Sequence, residues 1–417
     1  MDSITKNLAN FMELPDRDLF AKAKPFYDFM NELSEKRFHH WHRVLSSPSE
    51  ARVRIIDRYT GQERELINLA SNNYLGLTTH PRVVEAGYEA YRKYGAGAGS
   101  VPLLGGTMSL HRELEQKLAA TKGCEDAIIF TSGYSSNVGC VSGLVRKSDV
   151  AINDRLNHAS IIDGCRLSGA TFKTFRHNDP ASLERTLAEC DEEFQGKLVI
   201  VDGVYSMDGD IARLPEILPI VRKYGARLMI DEAHATGVIG AHGRGTPEHY
   251  GLEGQIDIVA GTLSKALGGV GGFVATTKEV VNYLRFYARS YMFSTALPPA
   301  TTASLIAALD VIAEEPEIRA RLWHNIRFVT DNLKKLGFDL GKAETAIIPI
   351  IVGDQTRLMP MSREVHEAGL FINPVYYPAV PKKQDRLRIS LMATLSQDDL
   401  DYSLEVLEKV GKKYGVI

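Results

Sequence analysis

Features typical of membrane, secreted or nucleic-acid-binding proteins are scarce in this sequence. Its four cysteines are widely spaced and form no CxxC pair, so neither a disulfide scaffold nor a zinc site is expected. It has no apolar run of about 18 residues or more, and its start lacks the basic-then-apolar layout of a signal peptide. The net charge of −3 implies no general attraction to nucleic acid or anionic membranes. We therefore expect a cytoplasmic protein without a membrane span, a nucleic-acid partner or a metal.

The usual nucleotide-binding and hydrolase motifs are also missing. In "GTLSKALGG" (261–269) the lysine precedes the glycines, and no Ser or Thr follows it as a P-loop requires. "GAGAGS" (95–100) follows a helical pattern instead of a strand, which argues against a dinucleotide loop. No GxSxG occurs, so a serine-hydrolase elbow is absent. The lysine in 261–269 therefore needs another explanation.

The order of apolar segments predicts an α/β fold with a second, smaller domain. Residues 1–66 form a charged, aromatic N-terminal arm followed by a predicted hairpin around "YTGQ". Within 67–300, β-like runs such as "DAIIF", "KLVIVD" and "RLMID" alternate with helical stretches, which indicates a large domain with a mostly parallel sheet. Residues 301–417 open with a long helical pattern and then give three further β-like runs, which predicts a smaller α+β domain.

Polar side chains follow three successive predicted strands. "LVIVDGVYS" leads to Ser206, "LMIDEAH" ends at Asp231 and His234, and "IVAGTLSK" ends at Thr262 and Lys265. In open α/β sheets, ligands bind beyond the carboxyl ends of the strands. We therefore expect an acid, an imidazole, hydroxyls and an amine to share one edge of the sheet, although each residue alone could equally be a cap or turn residue.

This combination of residue types suits pyridoxal phosphate. An amine can form a Schiff base with the aldehyde of the cofactor, which assigns that role to Lys265. The Asp231 carboxylate can keep the pyridine nitrogen protonated, and Thr262 can offer a hydroxyl to the phosphate. "TSGYSSN" (131–137) ends another predicted strand and opens a helix, whose backbone N–H groups form an anion site.

At this point the sequence resembles a known family, the α-oxoamine synthases, which are fold-type I pyridoxal-phosphate transferases. The resemblance runs from about residue 67 to the C-terminus. Its motifs, in the expected order, are "SNNYLGL", "DRLNHASIIDG", "DGVYSMDGD", "IDEAHATGVIGAHGRG", "GTLSKALGG", "MFSTALPPA" and "RLRISLMA".

The resemblance implies roles at matching positions. Lys265 and His158 are the expected catalytic residues, with His158 stacked on the cofactor ring. Ser294 and Thr295 match residues that reach the phosphate from the other subunit, which implies a homodimer. Arg388 matches the arginine that binds the carboxylate of the amino-acid substrate, and Asn72 is expected to assist there. The expected cofactor-binding residues are Gly133, Tyr134, His158, Ser206, Asp231, His234, Thr262, Lys265, Ser294 and Thr295.

The family's reaction joins an amino acid to an acyl-CoA, or an acyl-carrier thioester, and releases CoA, CO2 and an α-amino ketone. Motifs such as "FINPVYYPAVP" and "RISLMAT" favour a serine palmitoyltransferase type, which makes sphingolipid precursors from serine and a long-chain acyl-CoA. The alternatives are glycine C-acetyltransferase, 8-amino-7-oxononanoate synthase and, more remotely, an aminotransferase on the same fold. Pro102 stands where relatives usually carry arginine, which puts substrate contacts of that loop in doubt.

Overall fold

The computed structural model describes residues 5–13, 15, 18–190 and 193–417. Contacts divide the chain into two compact units. The first unit combines residues 1–72, 207–209 and 321–417, and the second combines 73–206 and 210–320. The sequence placed boundaries at 66 and 300, whereas the contacts place them at 72 and 320 and group the N-terminal segment with the C-terminal part.

The second unit is built around a seven-stranded sheet. Its strands are β4 (Asp126–Phe130), β5 (Val150–Asp154), β6 (Thr171–Phe175), β7 (Lys197–Asp202), β8 (Arg227–Asp231), β9 (Ile258–Thr262) and β10 (Gly272–Thr276). Its helices are α2 (Pro81–Tyr94), α3 (Ser109–Lys122), α4 (Gly133–Leu144), α5 (Ala159–Ser168), α6 (Pro180–Ala188), α7 (Leu214–Lys223), α8 (Thr246–His249), α9 (Lys278–Tyr287), α10 (Arg289–Met292) and α11 (Pro299–Glu314).

The order of strands in this sheet is β4-β10-β9-β8-β7-β5-β6. Strand β10 runs antiparallel to both of its neighbours, and all other pairs are parallel. Every residue of β5, β9 and β10 is buried, as expected for strands covered by helices on both faces. The mostly parallel sheet predicted from the sequence is thus confirmed, and β6 is the strand that the sequence reading did not find.

The first unit carries two small sheets. Its strands are β1 (Val44–Leu45), β2 (Arg52–Ile56), β3 (Glu63–Asn68), β11 (Ile347–Ile351), β12 (Leu370–Phe371), β13 (Asn373–Val375) and β14 (Arg386–Ser390). Its helices are α1 (Ala23–Glu35), α13 (Gln355–Glu367) and α14 (Gln397–Lys413), and α12 (Pro316–Leu336) carries the chain across the boundary at residue 320. None of the helices within the described ranges is long and apolar enough to cross a membrane.

Pairing of β12 with β3 explains why the N-terminal segment belongs with the C-terminal part. The predicted hairpin forms, with β2 antiparallel to β3 through five residue pairs. Strand β12 then adds to β3 in parallel, with Leu370 opposite Ile67. The resulting order β1-β2-β3-β12 joins segments some 300 residues apart, as local sequence patterns cannot reveal.

Neighbouring strands β7, β8 and β9 bring the predicted polar residues to one edge. Asp202 at the end of β7 lies opposite Asp231 at the end of β8, and β9 ends at Thr262 on the other side of β8. The turns that follow these strands carry Ser206, His234 and Lys265. The sheet therefore orders these groups as the sequence predicted.

Candidate active site

An imidazole lies between the amine of Lys265 and a phenol. Lys265 Nζ is 2.9 Å from His234 Nε2, and Tyr74 Oη is 2.6 Å from His234 Nδ1. Tyr74 is fully buried and His234 nearly so, whereas Lys265 is partly exposed. With a neutral amine, Nε2–H can donate to Lys265 while the Tyr74 hydroxyl donates to Nδ1. The arrangement gives the lysine a fixed partner that can exchange a proton with it.

The carboxylate of Asp231 is buried and accepts hydrogen bonds from two residues. Asn137 Nδ2 donates to Asp231 Oδ2 at 2.6 Å, and the backbone N–H of Ala233 donates to Oδ1 at 2.9 Å. The same Asn137 nitrogen also donates to Ser160 Oγ at 2.9 Å. These bonds fix the position of the carboxylate inside the protein, where it could pair with a positively charged ring nitrogen.

His158 connects to this network through Ser160. Its Nδ1 lies 2.7 Å from Ser160 Oγ and accepts the backbone N–H of Ser160 at 3.3 Å. Because Nδ1 accepts that N–H, the ring proton of neutral His158 lies on Nε2. Burial, together with the positive charge of Lys265, lowers the pKa of His158, and Asp231 opposes that effect. A neutral imidazole is therefore expected at pH 7.

Asp202 is a second buried carboxyl group beside the site. It lies opposite Asp231 in the sheet, and its Oδ1 accepts the backbone N–H of His158 at 3.4 Å. Burial, and next the negative charge of Asp231, raise the pKa of Asp202 well above its usual value. Compared with a free aspartate, Asp202 therefore favours its protonated form, which limits the negative charge beside Asp231.

The predicted anion site lies at the N-terminus of α4. Ser132 caps the helix by accepting the backbone N–H of Ser135 at 3.0 Å. A Cβ on Gly133 would lie 2.7 Å from Thr262 Cβ, so only glycine lets the helix start this close to the end of β9. The first backbone N–H groups of the helix, those of Gly133 and Tyr134, thus lie beside the Thr262 hydroxyl, and together they suit a phosphate.

The other predicted cofactor residues of the second unit lie in a turn, in a helix and in a loop. Ser206 is partly buried in the turn after β7, and the Tyr134 side chain is exposed, with its hydroxyl donating to Asp163. Ser294 is partly buried and Thr295 is exposed in the loop between α10 and α11. Their roles at a phosphate, and those of the other proposed site residues, remain predictions.

The predicted substrate residues lie in the first unit. Arg388 belongs to β14, is buried, and donates from one terminal nitrogen to Ser390 Oγ at 2.9 Å. The backbone N–H of Ser390 donates to Leu69 O at 2.8 Å, which ties this strand to the segment just before Asn72. Asn72 is partly buried. A buried guanidinium on a rigid strand suits recognition of a carboxylate.

Three residues that the sequence reading left without a role complete this network. Tyr74 orients His234, while Asn137 and Ser160 connect Asp231 to His158. Each stands inside a motif already identified, namely "SNNYLGL", "TSGYSSN" and "NHAS". Their position within motifs was the available signal, but the partners of Tyr74 and Asn137 lie far away in the chain.

This arrangement fits one class of protein: a lysine amine, a buried carboxylate and the N-terminus of a helix at one sheet edge are the groups that a pyridoxal-phosphate enzyme needs. The family model described as "Aminotransferase class I and II" matches residues 64–407. The chain belongs to that family and, within it, to the α-oxoamine synthases, which are fold-type I pyridoxal-phosphate enzymes that transfer acyl groups.

Two relatives and one solved structure illustrate the similarity. The chain is 48% identical over 374 residues to the 8-amino-7-oxononanoate synthase of Thermoanaerobacter pseudethanolicus, covering 90% of this chain and 93% of that protein. It is 41% identical to the 4-hydroxy-2,2'-bipyrrole-5-methanol synthase PigH of a Serratia species, covering 99% of this chain but 63% of that protein. The structure of serine palmitoyltransferase from S. paucimobilis with a bound PLP-myriocin aldimine matches with a TM-score of 0.91 and 35% identity, covering 96% of this chain and 100% of that one.

The residues present fit pyridoxal phosphate, the cofactor of this family. Lys265 would supply the amine for the aldehyde, Asp231 the buried carboxylate for the ring nitrogen, and Thr262 with the start of α4 the donors for the phosphate. Glycine at position 133 lets this helix start lie directly against Thr262, which brings these donors together. The expected cofactor is therefore confirmed by the family and is consistent with the donor set of the structure.

Proposed function

We propose that this α-oxoamine synthase joins L-alanine to a seven-carbon acyl thioester that carries a second carboxylate at its far end. The observation that carries this proposal is the 48% identity to an 8-amino-7-oxononanoate synthase along 90% of the chain. In that nine-carbon product, the amine and methyl carbons correspond to alanine after loss of CO2. The remaining seven carbons correspond to an acyl group with a distal carboxylate.

At the α-carbon of the amino acid, one carbon–carbon bond forms and another breaks. The α-carbon loses a proton and bonds to the acyl carbon, and the thiol leaves with a proton. The carboxylate then leaves as CO2, and a proton takes its place on the α-carbon. When bound, the cofactor supplies an electron sink for the negative charge at the α-carbon. The protein supplies the binding, orientation and proton transfers.

Lys265 and His234 are suited to the proton transfers. As a free amine, Lys265 Nζ would accept the proton from the α-carbon. His234, 2.9 Å away and fixed by Tyr74, holds the amine in one orientation. His158 presents its Nε2–H side, because Nδ1 is already bonded to Ser160. Arg388 binds the carboxylate of the amino acid through its guanidinium.

A serine palmitoyltransferase activity, which the sequence motifs favoured, is the second candidate. The similarity to such a structure over 96% of this chain, which includes most of the N-terminal segment, supports it. The two candidates differ in the amino acid and, more clearly, in the acyl chain: one ends in a carboxylate and the other in a methyl group.

A substrate matrix tests the proposal. The holoenzyme is mixed with alanine, serine or glycine and with heptanedioyl, hexadecanoyl or acetyl thioesters, and thiol release and product mass are measured. We expect alanine with the heptanedioyl thioester to exceed every other pair in kcat/KM by about tenfold or more, a difference of about 1.4 kcal/mol in the barrier. Lys265→Ala is the inactive control.

Two results would contradict the proposal at different levels. Fastest turnover with serine and the hexadecanoyl thioester would favour the palmitoyltransferase candidate. No thiol release with any pair would contradict the synthase activity itself.

A further inference from the structure

A large cavity lies within the first unit, and we call it the arm cavity. Its volume is about 1020 Å³. Most of its walls are apolar or aromatic, and several come from the N-terminal segment. The lining residues are Leu8, Phe26, Met30, His39, His40, Trp41, His42, Arg43, Leu45, Ser49, Arg58, Asn68, Ala70, Ser71, Met207, Phe371, Asn373, Pro374, Val375, Tyr376, Tyr377, Pro378, Ala379 and Arg388.

The charges of this lining are all of one sign. Three arginines and three histidines contribute to it, whereas none of its residues is an aspartate or a glutamate. In a chain with a net charge of −3, this is a local excess of positive charge. A cavity with apolar walls and cationic groups suits a ligand that combines a hydrocarbon chain with an anion.

The histidines of the cavity report the same positive surroundings. Burial, and then the charges of Arg58 and His42, lower the pKa of His39 to about 4. Burial, followed by the charge of Arg43, lowers the pKa of His40 to about 2. Both imidazoles are therefore neutral at pH 7, and the arginines carry the positive charge.

Arg43 is the arginine whose hydrogen bonds are incomplete. One terminal nitrogen donates to Ile372 O at 2.9 Å, and the guanidinium lies 4.1 Å from the centre of the Phe371 ring. Its Nε and its other terminal nitrogen are buried and have no acceptor among the described residues. Burial lowers the pKa of Arg43 to about 9, so the group stays charged at pH 7. A buried charged donor without an acceptor is costly and therefore unusual.

We propose that Arg43 binds the distal carboxylate of the acyl substrate in the arm cavity. This inference rests on the proposed function, because it assigns a binding residue to the second carboxylate of that substrate. Each of these two nitrogens, Nε and a terminal nitrogen of Arg43, can donate a charge-assisted hydrogen bond to a carboxylate oxygen. The apolar walls accommodate the methylene groups between the two ends of the acyl chain.

A phosphate of the thiol carrier offers the same negative charge and is the other possible anion. The walls of the arm cavity favour the carboxylate. A carrier arm contains amide groups that need hydrogen-bond partners, whereas a methylene chain needs none and gains from apolar contact.

The test compares two ligands that differ only in the distal carboxylate. These are the non-reactive thioether analogues of heptanedioyl-pantetheine and heptanoyl-pantetheine, titrated into the holoenzyme. Trp41 lines the arm cavity, so Trp323→Phe leaves Trp41 as the single tryptophan and its fluorescence reports binding.

Arg43→Met keeps the unbranched stem beside Phe371 and removes the charge. We expect this variant to bind the heptanedioyl analogue about 10- to 100-fold more weakly. Its affinity for the heptanoyl analogue should stay within about twofold of that of the unmodified protein. The matched control is Arg37→Met, which removes a charge from the same segment. Arg37 is exposed, stacks on Tyr59, and does not line the arm cavity. Arg43→Gln, which keeps N–H donors, serves if the Met variant does not fold.

The outcomes separate this inference from the proposed function. Equal binding of both analogues to the unmodified protein, or equal loss in both on Arg43→Met, would overturn the role of Arg43. Arg43→Met could instead weaken the binding of free CoA or phosphopantetheine and leave the difference in affinity between the two analogues unchanged. That result would assign the site to a phosphate and would also overturn the role of Arg43 at the carboxylate. Thiol release from the heptanedioyl thioester in either case would leave the proposed function standing.

Discussion

At the scale of single residues, Tyr74 determines how His234 faces Lys265. The phenol is fully buried and lies 2.6 Å from His234 Nδ1, and the imidazole in turn lies 2.9 Å from the amine. Tyr74→Phe removes this bond while keeping the ring. We expect kcat to fall about 5- to 10-fold, which corresponds to about 1 kcal/mol for one hydrogen bond, with KM nearly unchanged.

Steady-state kinetics with the best substrate pair measure this effect. Tyr91→Phe is the control, because Tyr91 is exposed on the surface of α2. A change confined to KM would contradict the assignment, since it would mean that Tyr74 acts on binding and not on the orientation of His234.

The sequence was sufficient to predict which chemical groups the site contains, but not which hydrogen bonds join them. Lys265, Asp231 and Thr262 follow apolar runs, so their placement at strand ends could be predicted from alternation alone. The hydrogen bonds of Tyr74 and Asn137 join residues 160 and 94 positions apart. Such contacts depend on how the strands are ordered in the sheet, and local sequence does not specify that order.

At the scale of secondary-structure elements, Gly133 determines how closely α4 approaches β9. A Cβ there would lie 2.7 Å from Thr262 Cβ and 2.9 Å from its hydroxyl, closer than real Cβ atoms come. Gly133→Ala must therefore displace the start of the helix. We expect a loss of about 1–3 kcal/mol in stability and a pyridoxal-phosphate affinity weaker by about tenfold or more.

Titration of the apo form with pyridoxal phosphate, followed by absorbance, measures that affinity. Gly97→Ala is the matched control, because nothing lies within 4 Å of its Cβ position. If both variants bound the cofactor as the unmodified protein does, the start of α4 would not be the phosphate site.

His177 joins two segments that follow strands of the main sheet. Its Nδ1 lies 3.1 Å from Asp154 at the end of β5, and its Nε2 lies 3.1 Å from Asp210 after β7. Burial lowers the pKa of His177, but the hydrogen bonds and charges of the two carboxylates outweigh it and raise the pKa to about 10. Protonated His177 therefore stabilises the folded state.

The pH dependence of folding stability tests the ion pairs of His177 with Asp154 and Asp210. Because the folded pKa lies above the unfolded value of about 6.5, the stabilisation is complete below pH 6.5 and is lost as the pH rises towards 10. We expect His177→Gln to cost about 3 kcal/mol at pH 6 and progressively less at pH 8 and 9.5, measured as thermal midpoints. His249→Gln, at an exposed histidine, is the control. A loss of stability that does not vary with pH would show that the contribution of His177 does not depend on its charge.

At the scale of the whole molecule, the sequence predicted the types of the two folded parts better than their boundaries. Periodicity indicated a parallel α/β sheet and a smaller α+β part, because both patterns are local. The N-terminal hairpin joins the smaller part through the short strand β12, which is only two residues long. A strand this short carries no periodic signal, so the grouping of residues 1–72 with 321–417 could not be inferred.

The family resemblance implies a homodimer in which Ser294 and Thr295 of one subunit reach the phosphate in the other subunit. Within the described chain, Thr295 is exposed, in a loop that begins after α10. If these hydroxyls act across subunits, a Lys265→Ala chain can donate them to a partner chain that lacks them but keeps Lys265.

Mixing two defective chains tests this arrangement. Lys265→Ala homodimers and Ser294→Ala/Thr295→Ala homodimers should each be impaired, whereas a mixed dimer contains one complete site. Co-expression with two different affinity tags isolates the mixed dimer, and statistical exchange without isolation should restore about a quarter of the unmodified activity. Thiol release from the thioester substrate measures the recovery. If the hydroxyls instead act within their own chain, neither site of the mixed dimer is complete, and activity does not rise above that of the separate homodimers.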